Sequence, residues 1–318
     1  MSVQPGRSTK WKIENLNPDA VSISASRRTD IPGLFGGWFQ RRLEDGFADY
    51  IPAGPPRRLR CSLRPEDVTH FTFWSRWPRP FLPVLQKVME IGYPVLWNVT
   101  ITGLGGTPVE PQVPATDKAL AAISSELAGL VSPAAIQWRY DPIFWSQRYD
   151  AEHHVRTFKS LAERLAGKVD RVATSFPELY GRRVEPDLRA YERETGDSLL
   201  HPDLNEKVDL LNQLKEIARG FALELTVCCN PEVRIATGCP QSACNSFDWA
   251  CRVYPQLADH RKLKSKPTRP DCACSAEADI GVYHTCIYGC RYSYGSRNQQ
   301  AAMRNFRSHD ADGTCILR

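Results

Sequence analysis

Six short runs rich in β-branched and aromatic residues recur through the first 230 positions, at 21–26, 69–76, 94–102, 134–140, 169–176 and 222–229. Each has the length of a single strand. Between them lie windows whose apolar residues fall three and four apart. Phe81, Leu85, Val88 and Met89 form one stripe, Val155, Phe158, Leu161, Ala162 and Leu165 a second, and Leu204, Val208, Leu211 and Leu214 a third. Such a stripe is the buried face of an amphipathic helix. A chain that alternates strand and helix builds parallel strands, because each helix carries the backbone across the sheet in a right-handed crossover. The expected class is α/β, as a partial or distorted (β/α) barrel or as an open doubly wound sheet.

Polar residues at the ends of the runs favour the barrel. Arg27, Arg28, Thr29 and Asp30 follow the first run, Ser75 and Arg76 close the second, and Thr100 and Thr102 the third. Arg139, Tyr140 and Asp141 end the fourth, Ser175 the fifth, and Cys228 and Cys229 the sixth. In such barrels the C-terminal strand ends build the active site. Arg27, Arg28, Arg139 and Tyr140 are therefore expected to bind substrate, since guanidinium forks make paired bonds to carboxylate or phosphate. Asp30 and Asp141 are expected to carry protons or to orient those arginines. For each residue the competing reading is an architectural ion pair.

After residue 230 the periodicity fades and Gly, Pro, Ser and Cys become frequent. Residues 231–318 are expected to form a cysteine-rich cap over the mouth of a barrel-like catalytic region, 1–230, as one compact unit. The basic run 261–266 reads as a solvated loop. Most of the eleven cysteines lie in this last part. No apolar stretch near residue 1 reads as a secretion signal and no run has the length to cross a bilayer, so a cytoplasmic location is expected. Disulfides rarely persist there, and clustered thiolates suit soft metals, as iron–sulfur or zinc sites. Zinc knuckles usually use Cys-x2-Cys pairs. The spacings of Cys272 with Cys274 and of Cys286 with Cys290 differ from that and favour iron–sulfur, with zinc as the alternative metal.

The remaining features carry less. Cys61, Cys244, Cys251 and Cys315 read as small apolar core residues, and His153 and His154 as ordinary residues at a helix start. A net charge of +5, from 41 basic and 36 acidic side chains, gives no strong basic bias, which disfavours nucleic acid as a partner. Trp74, Trp77, Trp97, Trp138 and Trp145 read chiefly as core rather than as base-stacking platforms. Gly103, Gly105 and Gly106 mark a tight turn and match no phosphate-binding fingerprint.

Three stretches carry a family likeness: Ser-Ala-Ser-Arg-Arg-Thr-Asp-Ile-Pro at 24–32, Trp-Arg-Tyr-Asp-Pro-Ile at 138–143, and Asp-Ile-Gly-Val-Tyr-His-Thr-Cys-Ile-Tyr-Gly-Cys at 279–290. With them the chain resembles domain of unknown function 1848 over nearly its whole length, down to His309 and Asp310. The C-terminal cysteines of that family are likened to the cluster motif of radical S-adenosylmethionine enzymes, which implies a 4Fe–4S cluster. In the Cys-x3-Cys-x2-Cys form of that motif, three thiolates hold three irons and S-adenosylmethionine chelates the fourth. Here Cys286 and Cys290 occupy the first two positions and Ser293 the third. A hydroxyl is a harder, poorer ligand, so ordinary cleavage of S-adenosylmethionine is not expected.

Two ligand sets then stay open. One is Cys272, Cys274, Cys286 and Cys290. The other is Cys228, Cys239, Cys272 and Cys274, positions the family pattern implies, with Cys286 and Cys290 nearby. The second would put Cys228 at a strand end, where it is also a catalytic candidate. The expected function is an iron–sulfur enzyme acting on a small polar metabolite, by sulfur transfer or insertion in a specialised biosynthetic pathway, served by an electron or sulfur donor protein. The alternatives are a radical S-adenosylmethionine enzyme with rearranged ligands, a nucleic-acid-modifying or nucleic-acid-binding protein, and a zinc-stabilised binding module.

Overall fold

The alternation of strand and helix resolves into one large parallel sheet. The computed structural model describes residues 16–52, 57–178, 183–260, 263–267, 269–275, 277–296 and 298–317, so residues 261 and 262 of the basic run lie outside the described residues. The strands are β1 (Val21–Ala25), β2 (Phe47–Tyr50), β3 (Leu59–Ser62), β4 (Val68–Ser75), β5 (Val95–Thr100), β6 (Ile136–Tyr140), β7 (Arg171–Thr174), β8 (Glu224–Val227) and β9 (Glu277–Asp279). Seven of them form one sheet in the order β8-β7-β6-β5-β4-β1-β9. Every neighbouring pair in it is parallel. Strands β2 and β3 make a separate antiparallel pair. Among the described residues β8 and β9 are not paired, so the sheet is not a closed barrel. No described helix is long and apolar enough to cross a membrane.

The three apolar stripes fall on helices Leu82–Ile91, Ala151–Leu165 and Leu204–Gly220. Asp150 and Asp203 cap the last two by accepting the backbone N–H of His153 and Glu206, and Glu206 completes a capping box. These caps satisfy amide groups that the first turn leaves unpaired. One face of the sheet meets the helices through an aromatic layer: Phe39 packs edge-on to Phe71, Phe73 and Phe81, and Trp138 stacks on Phe158.

The other face is polar and equally buried. Parallel sheets normally present apolar side chains to both sides. Here Ser22, Ser24, His70, Thr72, Asn98 and Gln137 are all 0% exposed. They form a continuous patch, since Ser22 pairs with His70, Ser24 with Thr72, and Asn98 with Gln137. The segment 242–246 lies against it. Asn245 donates through Nδ2 to Ser22 Oγ at 3.3 Å, and its Oδ1 accepts from Thr72 Oγ1 at 2.9 Å. His70 Nε2 lies 3.1 Å from the same oxygen, which fixes the His70 proton on Nε2. Asn98 Nδ2 donates to the Cys244 carbonyl at 2.9 Å, and Gln137 Nε2 to Asn98 Oδ1 at 2.8 Å. Backbone bonds hold the segment at both ends, from Ser242 N to the Val227 carbonyl and from Ser275 N to the Asn245 carbonyl.

Residues after 230 thus enter the sheet instead of only covering it. β9 pairs with β1, and Asp279 at its end accepts bonds from Ser24, Ser26, the Arg27 backbone, Arg28 and the Gly281 backbone. Burial alone would raise the Asp279 pKa, but Arg28 and Arg27 outweigh it and hold the carboxyl below its ordinary value.

Two predictions follow from the polar face. Asn245→Leu leaves Ser22, Thr72 and His70 with unmet hydrogen bonds, and a loss of about 3 kcal/mol is expected, at roughly 1–3 kcal/mol for each buried group stranded. An unchanged urea midpoint would refute the role given to Asn245. Burial also pushes His70 and His154 down from 6.5 to about 4. The unfolded chain therefore takes up protons that the folded chain refuses, so stability is full above pH 6.5 and falls towards pH 4. The expected slope is about 1.4 kcal/mol per pH unit for each histidine, and His154→Gln should lessen it in urea titrations between those limits.

Candidate functional site

Arg139, in the last turn of β6, projects from the polar face. Its Nη1 donates to Cys244 Sγ at 2.6 Å, its Nη2 to the Asp141 carboxylate, and its guanidinium lies 5.2 Å from the centre of the Trp74 ring. Asp141 also accepts from the Ser175 hydroxyl. Cys228 follows β8 directly, with its N–H bonded to the Thr174 carbonyl, and its Sγ lies 3.6 Å from Cys229 Sγ. Arg269 Nη2 reaches Cys228 Sγ at 3.6 Å.

These groups belong to one thiol cluster. Cys228, Cys229, Cys244 and Cys274 pack together, with Cys272 and Trp74 against them. Cys228 and Cys229 meet sulfur to sulfur, and each thiol shifts its neighbours' titration, Cys244 that of Cys228, and Cys272 that of Cys229 and Cys274. The thiols come from three stretches of chain: the end of β8, the segment 242–246, and the loop before β9. Cys229 and Asp271, in the first and last of these, are non-glycine residues with φ of 53° and 56°. A left-handed backbone at such residues costs about 1 kcal/mol or more and gathers at functional sites.

Four of these thiols, Cys228, Cys229, Cys244 and Cys274, are held protonated. The Cys228 thiol rises to about 11, chiefly through its bond with Cys229 and further through burial, against the opposing pull of Cys244 and Arg139. Cys229 also rises to about 11, because Cys272 and burial outweigh the lowering effect of Cys228. Cys244 and Cys274 are pushed well above their ordinary range by neighbouring thiols and by burial. Among the described residues no group of three or more His, Cys, Asp or Glu side chains is arranged as a ready-made metal site. Binding a soft metal would therefore need thiol protons to leave and the sulfurs to reorient around the ion.

The structure brings together Cys228, Cys272 and Cys274 of the expected ligands, and adds Cys229 and Cys244, which the spacing did not single out. Cys239 lies in the main apolar core. Cys286 and Cys290 pack in a different cluster with Tyr288 and Tyr292, near Arg76 and Glu110, whose ion pair spans 2.9 Å. Ser293, third in the triplet, accepts the Gly295 N–H in a local turn. Neither four-cysteine set is gathered in one place.

The other expected residues divide between roles. Arg28 is 6% exposed and wholly engaged, with Asp279, the Ile51 carbonyl and the Asp279 carbonyl. Arg27 pairs with Asp279 at 3.6 Å. Tyr140 turns to the helix side, with its hydroxyl 2.7 Å from His154 Nδ1. Asp30 caps the short helix Ile31–Leu34 by accepting the Gly33 N–H, and its second oxygen accepts from Ser75 Oγ and the Arg76 N–H. Tyr294 is the point where charges converge: its hydroxyl donates to the Arg27 carbonyl at 3.3 Å, and Arg27, Arg139 and Arg269 all act on it. The one signal for Cys244 and Asn245 was the polar alternation of β1, β4 and β5, which asks for a polar partner.

Burial raises Asp30 to about 6, against the lowering effect of the Arg76 and Gly33 amides. A carboxyl titrating near pH 6 is therefore expected in carbon-detected NMR, absent from Asp30→Asn. A midpoint at the ordinary value of 3.8 would remove Asp30 as a proton carrier near neutrality.

No curated protein matches the chain. The match to the family described as a domain of unknown function (DUF1848) runs from residue 22 to residue 295. It takes in the large sheet from the second residue of β1 onward, all five thiols of the cluster and the arginines beside them, and on that match the chain belongs to the DUF1848 family.

Proposed function

We propose that this protein is an iron–sulfur enzyme that acts on a small polar, anionic metabolite, with sulfur transfer or insertion as its reaction class. The observation that carries the reading is the meeting of five thiols with Arg139 and Arg269 beyond the C-terminal ends of parallel strands, where such folds place their chemistry. The strand order supports a distorted barrel opened along one seam. β1 and β4 to β8 lie in chain order and β9 returns beside β1, while the segment 242–246 and the loop before β9 fill the gap. In that reading residues after 230 build the cap and part of the wall.

The donor set fits a thiolate-bound metal. All five side chains are soft sulfur ligands, and a cluster with four cysteine ligands would leave one thiol over for sulfur handling. When bound, the cluster would supply sulfide, or an open iron that polarises a substrate group. Arg27, Arg139 and Arg269, converging on Tyr294, would bind and orient carboxylate or phosphate oxygens. Asp141, held by Arg139 and Ser175, would keep the first of these in place. An electron or sulfur donor protein would complete the cycle.

A single zinc ion is the second reading, and one distance favours it. Zinc–sulfur bonds of about 2.3 Å in a tetrahedron set their sulfurs roughly 3.8 Å apart, close to the 3.6 Å between Cys228 and Cys229. A four-iron cluster attaches each thiolate to a different iron and spreads the sulfurs farther. The separation of Cys286 and Cys290 from the five-thiol group weighs against S-adenosylmethionine chemistry at the Cys286–Ser293 triplet.

Anaerobic purification with iron, acid-labile sulfide and zinc quantification tests the reading. Wild type is expected to carry iron and sulfide, Cys272→Ala to lose most of both, and Cys286→Ala to keep them. A folded preparation that lacks iron and sulfide after reconstitution would overturn the iron–sulfur reading, and stoichiometric zinc in its place would establish the second. Formation of 5′-deoxyadenosine with reductant and S-adenosylmethionine would overturn sulfur transfer without cleavage of S-adenosylmethionine.

A further inference from the structure

Arg171, in β7, is 5% exposed, yet its Nε and Nη2 have no hydrogen-bond partner among the described residues. Its guanidinium lies 3.8 Å from the centre of the Trp249 ring. It pairs in register with Gln137 of β6, whose Oε1 is also buried without a partner. Gln137 bonds Asn98, and Asn98 bonds the Cys244 carbonyl. Trp249 belongs to helix Phe247–Val253, which directly follows the segment carrying Cys244. Arg171 thus lies on the polar face of the sheet, joined to the Cys244 backbone through Gln137 and Asn98.

A buried guanidinium with no anion costs several kcal/mol. Burial lowers the Arg171 pKa to about 10, so the group is still cationic at neutral pH. The carboxylates that act on it, Asp170 and Glu224, are exposed to solvent. Cys244 is the buried candidate, and Arg139 already donates to its sulfur.

We infer that Cys244 is a ligand of the thiol centre and that Arg171 is a positioning residue supplying counter-charge to a metal–thiolate complex of net negative charge. The inference rests on the metal-centre reading above, though it holds for iron–sulfur and zinc alike. Four thiolates around a divalent ion leave a net negative complex; Arg139 then lies beside an anion, and Arg171 behind it on the same face offsets the remaining charge. The reaction is an exchange: metal–sulfur bonds form, S–H bonds break, and the protons pass to solvent without any change of oxidation state.

Zinc ion alone serves as the probe, titrated anaerobically into the reduced full-length chain against a chromophoric chelator. Arg171→Gln is expected to bind zinc about ten-fold more weakly, the scale on which residues behind metal ligands act. Arg171→Lys should recover most of that loss, and the surface variant Arg164→Gln none of it to begin with. Without metal, Arg171→Gln should melt no lower than wild type, because an uncompensated buried charge is gone. Cys244→Ser should weaken zinc binding at least as much and release fewer protons. Wild-type affinity in a folded Arg171→Gln protein would overturn the inference while leaving the metal centre standing. Failure of wild type to take up zinc or iron would overturn both.

Discussion

A parallel sheet with one polar, fully buried face loses stability for each group on that face left without a partner. Asn245 meets this demand at the centre, joining Ser22 of β1 to His70 and Thr72 of β4. Asn98 and Gln137 extend the network to β5 and β6 through the Cys244 carbonyl. Because an unmet buried hydrogen bond costs more than a met one contributes, the segment 242–246 has one acceptable position. That requirement delivers Cys244 to the end of β6, beside Arg139 and within reach of Cys228.

The same logic separates two groups of cysteines that lie close in sequence. Cys272 and Cys274 approach the sheet through the loop before β9, whose pairing with β1 is secured by Asp279 and Arg28. Cys286 and Cys290 come after that strand, and Tyr288 and Tyr292 draw them into another apolar cluster. There Glu110 accepts from Arg76, Tyr292 and Thr102. A carboxylate so fully satisfied acts as an anchor. Arg139 pairs with Asp141 and Arg269 with Glu178, so the electrostatic imbalance lies at Arg171, a buried guanidinium with unmet donors among the described residues, and an anionic centre would relieve it.

Much of the scaffold was legible because its signals are local. The helices Leu82–Ile91, Ala151–Leu165 and Leu204–Gly220 announce themselves in apolar residues three and four apart, and Asp150 and Asp203 mark two of their starts. The β2–β3 pair and β9 were not read. At four, four and three residues they are too short for periodicity to register. Tyr140 and Arg139 were grouped as one site because they are adjacent, yet neighbours in a strand face opposite sides, and Tyr140 belongs to the aromatic layer.

The sequence by itself determined the α/β class, the order of strand and helix, the soft-ligand character of the tail and the family likeness. All of these depend on residue type and spacing along the chain. Only the tertiary structure decided which thiols meet, because Cys228, Cys244 and Cys272 are brought together by strand order and by hydrogen bonds between distant residues. It also decided that Arg28 is architectural and that Arg171 is a buried cation without an ion-pair partner among the described residues. Burial and the sharing of partners are properties of packing, and spacing along a chain carries no record of them.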